Sequence, residues 1–354
     1  MASSVRILGR RKVAYALAAC CLLLAGLAGA AAQTQPNQRI GINPWQPQAF
    51  LSNVAGFAGT NTGSIRIDLI WGKVEPRPGT FDWAELDKVV EVAAANHVDV
   101  LLTLRAISGW GTKKAANARN EYQGASLPLD MASWDAYASA LALRYKGRNV
   151  AYEIENEPNS NFWSGTMEDY LALLKASYAA IMRSDSQARV LSGALACHIA
   201  FDFADPAVVQ KQNALFDSWQ KAIFATHAFN TIGVHDYYFP DHAVNGWTFT
   251  SYLTHIQDLA RDAGCDQCRL WVTEMGYVSR PRKTGTRIDP GSPQNQAQWA
   301  QQALRQAFGL GIERVYWLFL KDHTSGTYFD TMGLLDGNGS PRPAFRVIAQ
   351  EHGG

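Results

Sequence analysis

Between residues 39 and 319, short and nearly continuous apolar runs alternate with segments whose apolar residues recur at helical spacing. The runs are Arg39–Asn43, Gly63–Leu69, Val98–Leu104, Val150–Glu155, Val190–Ala196, Thr231–His235, Arg269–Glu274 and Arg314–Phe319. Rich in Val, Ile and Leu and lacking a polar alternate face, they read as parallel strands covered on both sides. The segment Asp82–Val92 opens with acidic residues and then places Leu86, Val89 and Val90 on one face, as an amphipathic helix does. Met167–Ser184 and Asn295–Leu310 follow the same pattern. Eight strands alternating with helices predict an α/β fold, a single (β/α)8 TIM barrel. No glycine-rich turn follows an early strand, which argues against a doubly wound dinucleotide fold.

The first residues stand outside this rhythm. Arg6, Arg10, Arg11 and Lys12 precede an uncharged, mostly apolar stretch from Val13 to Ala32 that ends in small residues. This is the pattern of a signal peptide over residues 1–32, and it implies export to the periplasm or the medium. Two other readings compete. Leu17-Ala18-Ala19-Cys20 resembles a lipoprotein cleavage box, and the stretch is just long enough to span a bilayer uncleaved. Residues 33–38 read as a flexible lead-in and 39–354 as the catalytic domain, with no accessory domain expected after the eighth strand.

A barrel of about 320 residues is an ordinary size for one domain. The net charge of +1 provides no basic field for nucleic acid. A membrane partner would require the N-terminal segment to stay uncleaved or become lipidated, and a monomer is expected. Cys265-Asp266-Gln267-Cys268 reads as a local disulfide or a reduced pair. A zinc site built from that pair with Cys197 and His198 is awkward, because neighbouring strand residues point to opposite faces.

Chemistry enters at the strand ends. Tyr152–Asn159 and Leu270–Tyr277 are apolar runs that stop at glutamates, Glu157 and Glu274, 117 positions apart. A carboxylate at the end of a buried strand loses hydration, so it needs a partner or a task. In a (β/α)8 barrel such residues gather at one mouth. Beside them strand two carries Arg66, strand eight carries Trp317, and the ends of strands four and six offer Asn156, His235 and Tyr237. Double displacement at a glycosidic bond needs a carboxylic acid to protonate the leaving oxygen and a carboxylate to attack, about 5–5.5 Å apart. Glu157 suits the first task and Glu274 the second. Arg66 would favour the charged nucleophile, Tyr237 would orient it, Asn156 would bind a sugar hydroxyl, and Trp317 would floor the cleavage subsite. Singly, each has a plainer reading: Glu-Pro as a turn, Thr-Glu as a helix cap, Arg66 as a salt-bridge partner, His235 as a buried structural histidine. Their order along the strands favours the joint reading.

From about Arg39 to Glu351 the chain resembles the (β/α)8 retaining glycoside hydrolases, above all family 39 and neighbouring family 5. The resemblance rests on Arg66-Ile67-Asp68-Leu69-Ile70-Trp71, Glu75-Pro76, Gly79 and Phe81-Asp82-Trp83, and most specifically on Tyr152-Glu153-Ile154-Glu155-Asn156-Glu157-Pro158-Asn159. It implies Glu157 as acid/base and Glu274 as nucleophile. It implies Arg66, Asn156, His235, Tyr237 and Trp317 as the supporting shell, an oligo- or polysaccharide as substrate, and no metal or organic cofactor.

Two departures change the expectation. Glu155 stands where many relatives have Trp or Gly. By strand alternation Glu153, Glu155 and Glu157 would share one side, so like charge would raise the acid's pKa. The β-sandwich of typical family 39 xylosidases is also missing, which points to an endo-acting enzyme on β-linked polysaccharide. An exo-acting β-xylosidase-like enzyme and a non-catalytic carbohydrate-binding barrel are the alternatives. A metal-dependent barrel would want more strand-end histidines than His198 and His235. Trp110, Trp163, Trp247 and Tyr238, on the loops after the strands, are candidate platforms for sugar stacking.

Overall fold

The computed structural model describes residues 35–113, 121–196, 206–237, 247–284 and 287–351. The signal segment 1–32, Cys197, His198 and Tyr238 lie outside the described residues. Eight parallel strands close into a barrel: β1 (Asn37–Trp45), β2 (Thr62–Ile70), β3 (Asp99–Arg105), β4 (Val150–Ile154), β5 (Arg189–Ser192), β6 (Thr231–His235), β7 (Arg269–Met275) and β8 (Arg314–Leu318). Each strand pairs with its chain neighbours, and β1 closes the ring against β8. A small antiparallel hairpin, Arg282–Thr284 with Arg287–Asp289, follows β7.

Helices cover the barrel as the periodicity predicts. Ala84–Ala95 buries Leu86, Val89, Val90 and Ala93. Met167–Ser184 starts at a capping box in which Thr166 and Asp169 satisfy each other's backbone N–H groups. Pro293–Gly309 is capped by Ser292, and Met131–Arg144 by Asp130. No helix among the described residues is long and apolar enough to cross a membrane.

Only β6 has the expected bounds; most other ends shift by a residue or two, and three of the differences bear on the site or the lead-in. β1 begins at Asn37, so the lead-in is shorter than 33–38. β4 stops at Ile154 because Glu155 adopts a left-handed conformation, φ 67°. β5 stops at Ser192: beyond it, Gly193 N–H donates to the Tyr170 hydroxyl and the Ala194 carbonyl accepts from Glu157 N–H. That last contact ties the end of β4 to the loop after β5.

The lumen is layered. Leu101, Ala151, Leu191, Trp271 and Tyr316 form a small apolar cluster separate from the core under the helices. Side chains on a strand alternate faces, so the residues two further along lie on the same inner face, one layer higher. Those residues include Thr103, Glu153 and Thr273, all buried and all polar. The polar mouth therefore rests on an apolar floor. Gly233 makes room for it, since a Cβ there would lie 2.5 Å from the Ser192 carbonyl oxygen and 2.9 Å from a Glu153 carboxylate oxygen.

Cys265 and Cys268 are free thiols. Cys265 Sγ lies 3.6 Å from His227 Nδ1, and burial together with Cys265 pushes the Cys268 thiol up to about 12.

Candidate active site

Glu274 sits near the end of β7 beside a register irregularity. His235 pairs with Glu274 although Val234 pairs with Val272, so β7 carries one extra residue; the shift recurs on its other side, where Val315 pairs with Val272 and Trp317 with Met275. A bulge of this kind re-aims side chains. It lets two consecutive residues serve the lumen: Thr273 donates to Glu153 Oε1 at 2.9 Å, and Glu274 joins the layer above.

Both oxygens of Glu274 are engaged. Oε1 accepts from Arg66 Nη1 at 2.7 Å and Asn43 Nδ2 at 3.1 Å, and Oε2 accepts from the Tyr237 hydroxyl. Arg66 is fully buried and divides its donors among three acceptors: Glu274, Glu153 Oε2 at 2.7 Å and Asn156 Oδ1 at 2.7 Å. Burial opposes its charge, but Glu153, Glu274 and Asp68 outweigh that and keep it a cation. Glu153 also accepts from Thr103 Oγ1 at 2.9 Å.

Glu157 lies three residues past β4, in a turn where Glu155 (φ 67°) and Glu157 (φ 45°) are both left-handed. Its side chain is 18% exposed, and Oε1 lies 2.9 Å from His235 Nδ1. The same nitrogen is 3.7 Å from Glu274 Oε2, so His235 sits between the two carboxylates. Burial disfavours its charge; the Glu274 carboxylate and the Glu157 hydrogen bond more than offset this and raise its pKa above the ordinary value. One oxygen from each glutamate and a ring nitrogen of His235 all lie within 4.8 Å of one another.

That spacing would also suit a divalent cation. The donor set argues otherwise: both Glu274 oxygens already accept hydrogen bonds, and a guanidinium stands 2.7 Å from one of them. A second positive ion would meet like charge.

Neither protein-family models nor curated protein sequences match this chain. Solved structures do. A family 39 glycoside hydrolase from Bacteroides cellulosilyticus superposes with a TM-score of 0.62 at 18% identity, covering 90% of this chain and 64% of its own. A family 39 β-xylosidase from Caulobacter crescentus gives 0.64 at 17% identity, covering 91% and 72%. An exo-β-1,4-mannosidase from an Opitutaceae bacterium gives 0.57 at 16% identity, covering 90% and 59%. These likenesses show a shared barrel. The chain spans less than two thirds of the length of the Bacteroides and Opitutaceae proteins.

Six of the expected residues meet at the mouth: Arg66, Asn156, Glu157, His235, Tyr237 and Glu274. Trp317 does not. Tyr316 takes the inward position, its hydroxyl 2.7 Å from Ser64 Oγ, so alternation turns Trp317 outward. There its ring lies 5.9 Å from Trp299 of the covering helix, and Nε1 donates to the Met332 carbonyl at 2.8 Å. Trp163 is no stacking platform either: it is 5% exposed, with Nε1 donating to the Thr166 carbonyl. Trp110, half-buried, packs edge-on against Trp71 and donates to the Glu75 carbonyl. Trp247 packs against His255 at 4.6 Å. A separate aromatic cluster lies at the ends of β1 and β8, where half-buried Trp45 lies 5.5 Å from buried Phe319 and stacks with buried Tyr122 at 6.1 Å.

Sequence reasoning missed Asn43, Glu153 and Arg105. Asn43 is a polar residue at the end of the apolar β1 run, the same signal that marked Glu157 and Glu274. Arg105 ends β3 and is buried among Glu155, Asp68 and the Tyr122 carbonyl. Glu155 is not stacked beside Glu157 as alternation implied, because the left-handed turn breaks the pleat and Arg105 takes its carboxylate.

Proposed function

We propose that this chain is a retaining β-glycoside hydrolase acting on an oligo- or polysaccharide by double displacement. The observation that carries the reading is the pair of strand-end carboxylates, Glu157 and Glu274, with oxygens within 4.8 Å of one another. This is the close spacing of a retaining pair, whereas an inverting pair stands about 6.5–9.5 Å apart to admit a water. The environments separate the roles. Glu274 carries two donors on one oxygen and a third on the other, which fix the direction of its carboxyl group. Glu157 is the more exposed, with His235 as its one charged neighbour within ion-pair distance among the described residues.

In the first step a Glu274 oxygen attacks the anomeric carbon while the bond to the leaving oxygen breaks and Glu157 gives that oxygen its proton. In the second, water attacks the glycosyl-enzyme, Glu157 takes the water's proton, and Glu274 departs as a carboxylate. The developing positive charge on the sugar lies beside Glu274, and Arg66 and Tyr237 hold that carboxylate in place.

The expectation of an endo-acting enzyme gives way here to an exo-acting one. The neighbours whose names state an activity support this, as a β-xylosidase and an exo-β-mannosidase. Export to the periplasm or medium completes the proposal and rests on residues 1–32 alone.

The test is mass spectrometry of the full-length protein after incubation with activated 2-deoxy-2-fluoro glycosides. A covalent sugar on Glu274 is expected, and the sugar that labels names the preference. Turnover of intact glycosides with no adduct on Glu274 would overturn the nucleophile assignment. Products from the matching oligosaccharide separate the modes: single sugars released stepwise support exo action, internal fragments refute it.

A further inference from the structure

Glu157 is presented by an unusual piece of backbone. Two non-glycine residues, Glu155 and Glu157, are left-handed within three positions, a conformation that L side chains resist and that persists only where surroundings enforce it. Something must hold the turn. The Glu157 N–H donates to the Ala194 carbonyl at 2.9 Å, and the Asn156 side chain is held by Arg66. Neither contact reaches Glu155.

Glu155 has its own anchorage. Its side chain is fully buried, with Oε2 accepting from Arg105 Nε at 2.9 Å and Oε1 from the Ala106 N–H. Its backbone N–H donates to the Leu104 carbonyl at 3.1 Å. Arg105 in turn spends every nitrogen of its guanidinium: Nη1 on Asp68 Oδ2 at 2.8 Å, Nη2 on the Tyr122 carbonyl at 2.6 Å. Its plane also lies over the Phe162 ring at 5.2 Å, in the loop that leaves the Glu157 turn. Arg105 thus ties β2, β3, the loop after β3 and both sides of the acid/base turn to one group.

We infer that the Arg105–Glu155 pair is a positioning device for the acid/base, holding the strained turn so that the Glu157 carboxyl meets the leaving oxygen. The inference rests on the reading of Glu157 as acid/base. It differs from an electrostatic role in which Glu155 acts on Glu157 through charge, because the Glu155 carboxylate is taken up by Arg105 and a backbone N–H. Arg66 serves the nucleophile and Arg105 the acid. Each arginine bonds to its own glutamate of β4 or the turn after it, Glu153 or Glu155.

A misplaced acid has a kinetic signature that general loosening lacks. Leaving groups that depart without a proton are spared, and poor ones are not. Proton donation is worth roughly 10²–10⁴-fold in rate. The experiment compares the parent enzyme with Glu155→Ala and Glu155→Gly on aryl glycosides of graded leaving-group acidity and on an unactivated disaccharide.

Glu155→Ala should lose on the order of 10²-fold in kcat on the disaccharide and less than about tenfold on the most activated aryl glycoside, with KM moving little. Glu155→Gly should recover part of the loss, since glycine adopts positive φ without a steric penalty. Glu155→Gln should fall between, because its amide offers one acceptor where the carboxylate meets two donors.

An equal loss across all leaving groups, or none, in a parent that turns over would overturn the positioning role and leave the hydrolase reading standing. A shifted alkaline limb of the pH profile in Glu155→Gln with unchanged leaving-group dependence would favour the charge effect and overturn it as well. A parent inactive on every glycoside would overturn both.

Discussion

Arg66 links three residues of the mouth through its one guanidinium, and replacing it tests the site and the fold together. It is fully buried and makes three hydrogen bonds of 2.7 Å, two of them to carboxylates. Hydrogen bonds to charged groups contribute about 1.5–3 kcal/mol each. Removing the whole cation leaves Glu153 and Glu274 buried without it, a loss of about 3–5 kcal/mol. That is a large share of the roughly 5–15 kcal/mol that holds a domain folded. Arg66→Met therefore risks failing to fold, and Arg66→Lys is the informative variant. An ammonium keeps the charge but lacks the planar fork, so it cannot reach Glu153, Glu274 and Asn156 from their present directions. Losing one or two of the three bonds costs about 2–5 kcal/mol, which lowers Tm by on the order of 3–7 °C in a chain of this size. If the lost bond is the one to Glu274, kcat/KM falls by roughly 10- to 150-fold. Thermal unfolding followed by circular dichroism gives the first number, and hydrolysis of an activated aryl glycoside the second. A variant with Tm within about 1 °C of the parent and activity within about twofold would refute the idea that this network organises the site.

Two further predictions concern adjacent residues of β6 and the loop after it. Burial opposes the His235 charge, but Glu274 and Glu157 raise its pKa, so protonated His235 stabilises the fold. That stabilisation is complete below the unfolded value of about 6.5 and is lost as pH rises through the higher folded value. His235→Asn should flatten the Tm–pH curve above about pH 6.5, and parallel curves for parent and variant would contradict this. Asp236 is fully buried, neither carboxyl oxygen finds a hydrogen-bond partner among the described residues, and burial pushes its pKa well above the usual range. Folding then penalises its ionisation once pH exceeds the unfolded value of about 3.9. Asp236→Asn should be more stable than the parent at pH 8 in urea unfolding, with the gap closing towards pH 4. A gap that stays constant would show that Asp236 does not titrate as its burial implies.

The barrel was legible in the sequence because its strands are covered on both faces, which turns each into an unbroken apolar run. For the same reason a polar residue inside or just after a run stood out, and Arg66, Asn156, Glu157, His235, Tyr237 and Glu274 were all singled out that way. What periodicity cannot show is which face an aromatic residue takes when every neighbour is apolar too. In Val315-Tyr316-Trp317-Leu318 both rings sit in the same kind of run. Only the hydrogen bond between the Tyr316 hydroxyl and Ser64 reveals that Tyr316 points inward and Trp317 outward. Trp163 and Trp110 fail as platforms for a related reason. An indole on a loop is as useful for closing that loop as for binding sugar, and here each donates Nε1 to a backbone carbonyl.

The other misreadings share one cause, a break in the period of two. Alternation put Glu153, Glu155 and Glu157 on one face, but the turn after Ile154 is left-handed twice, and only Glu153 remains in the lumen layer. The extra residue in β7 likewise lets Thr273 and Glu274 both reach inward, which strict alternation forbids. Both irregularities lie where the two carboxylates approach each other. An unbroken pleat fixes the height and direction of every side chain on a strand. Bringing an oxygen of Glu157 and an oxygen of Glu274 within 4.8 Å across the lumen uses one departure from the pleat on each strand. Each departure leaves buried polar groups that need partners. Arg66 and Arg105 meet that need from inside β2 and from the end of β3. The two arginines therefore follow from the two bends: strand ends bent to bring two acids together need buried cations to hold them.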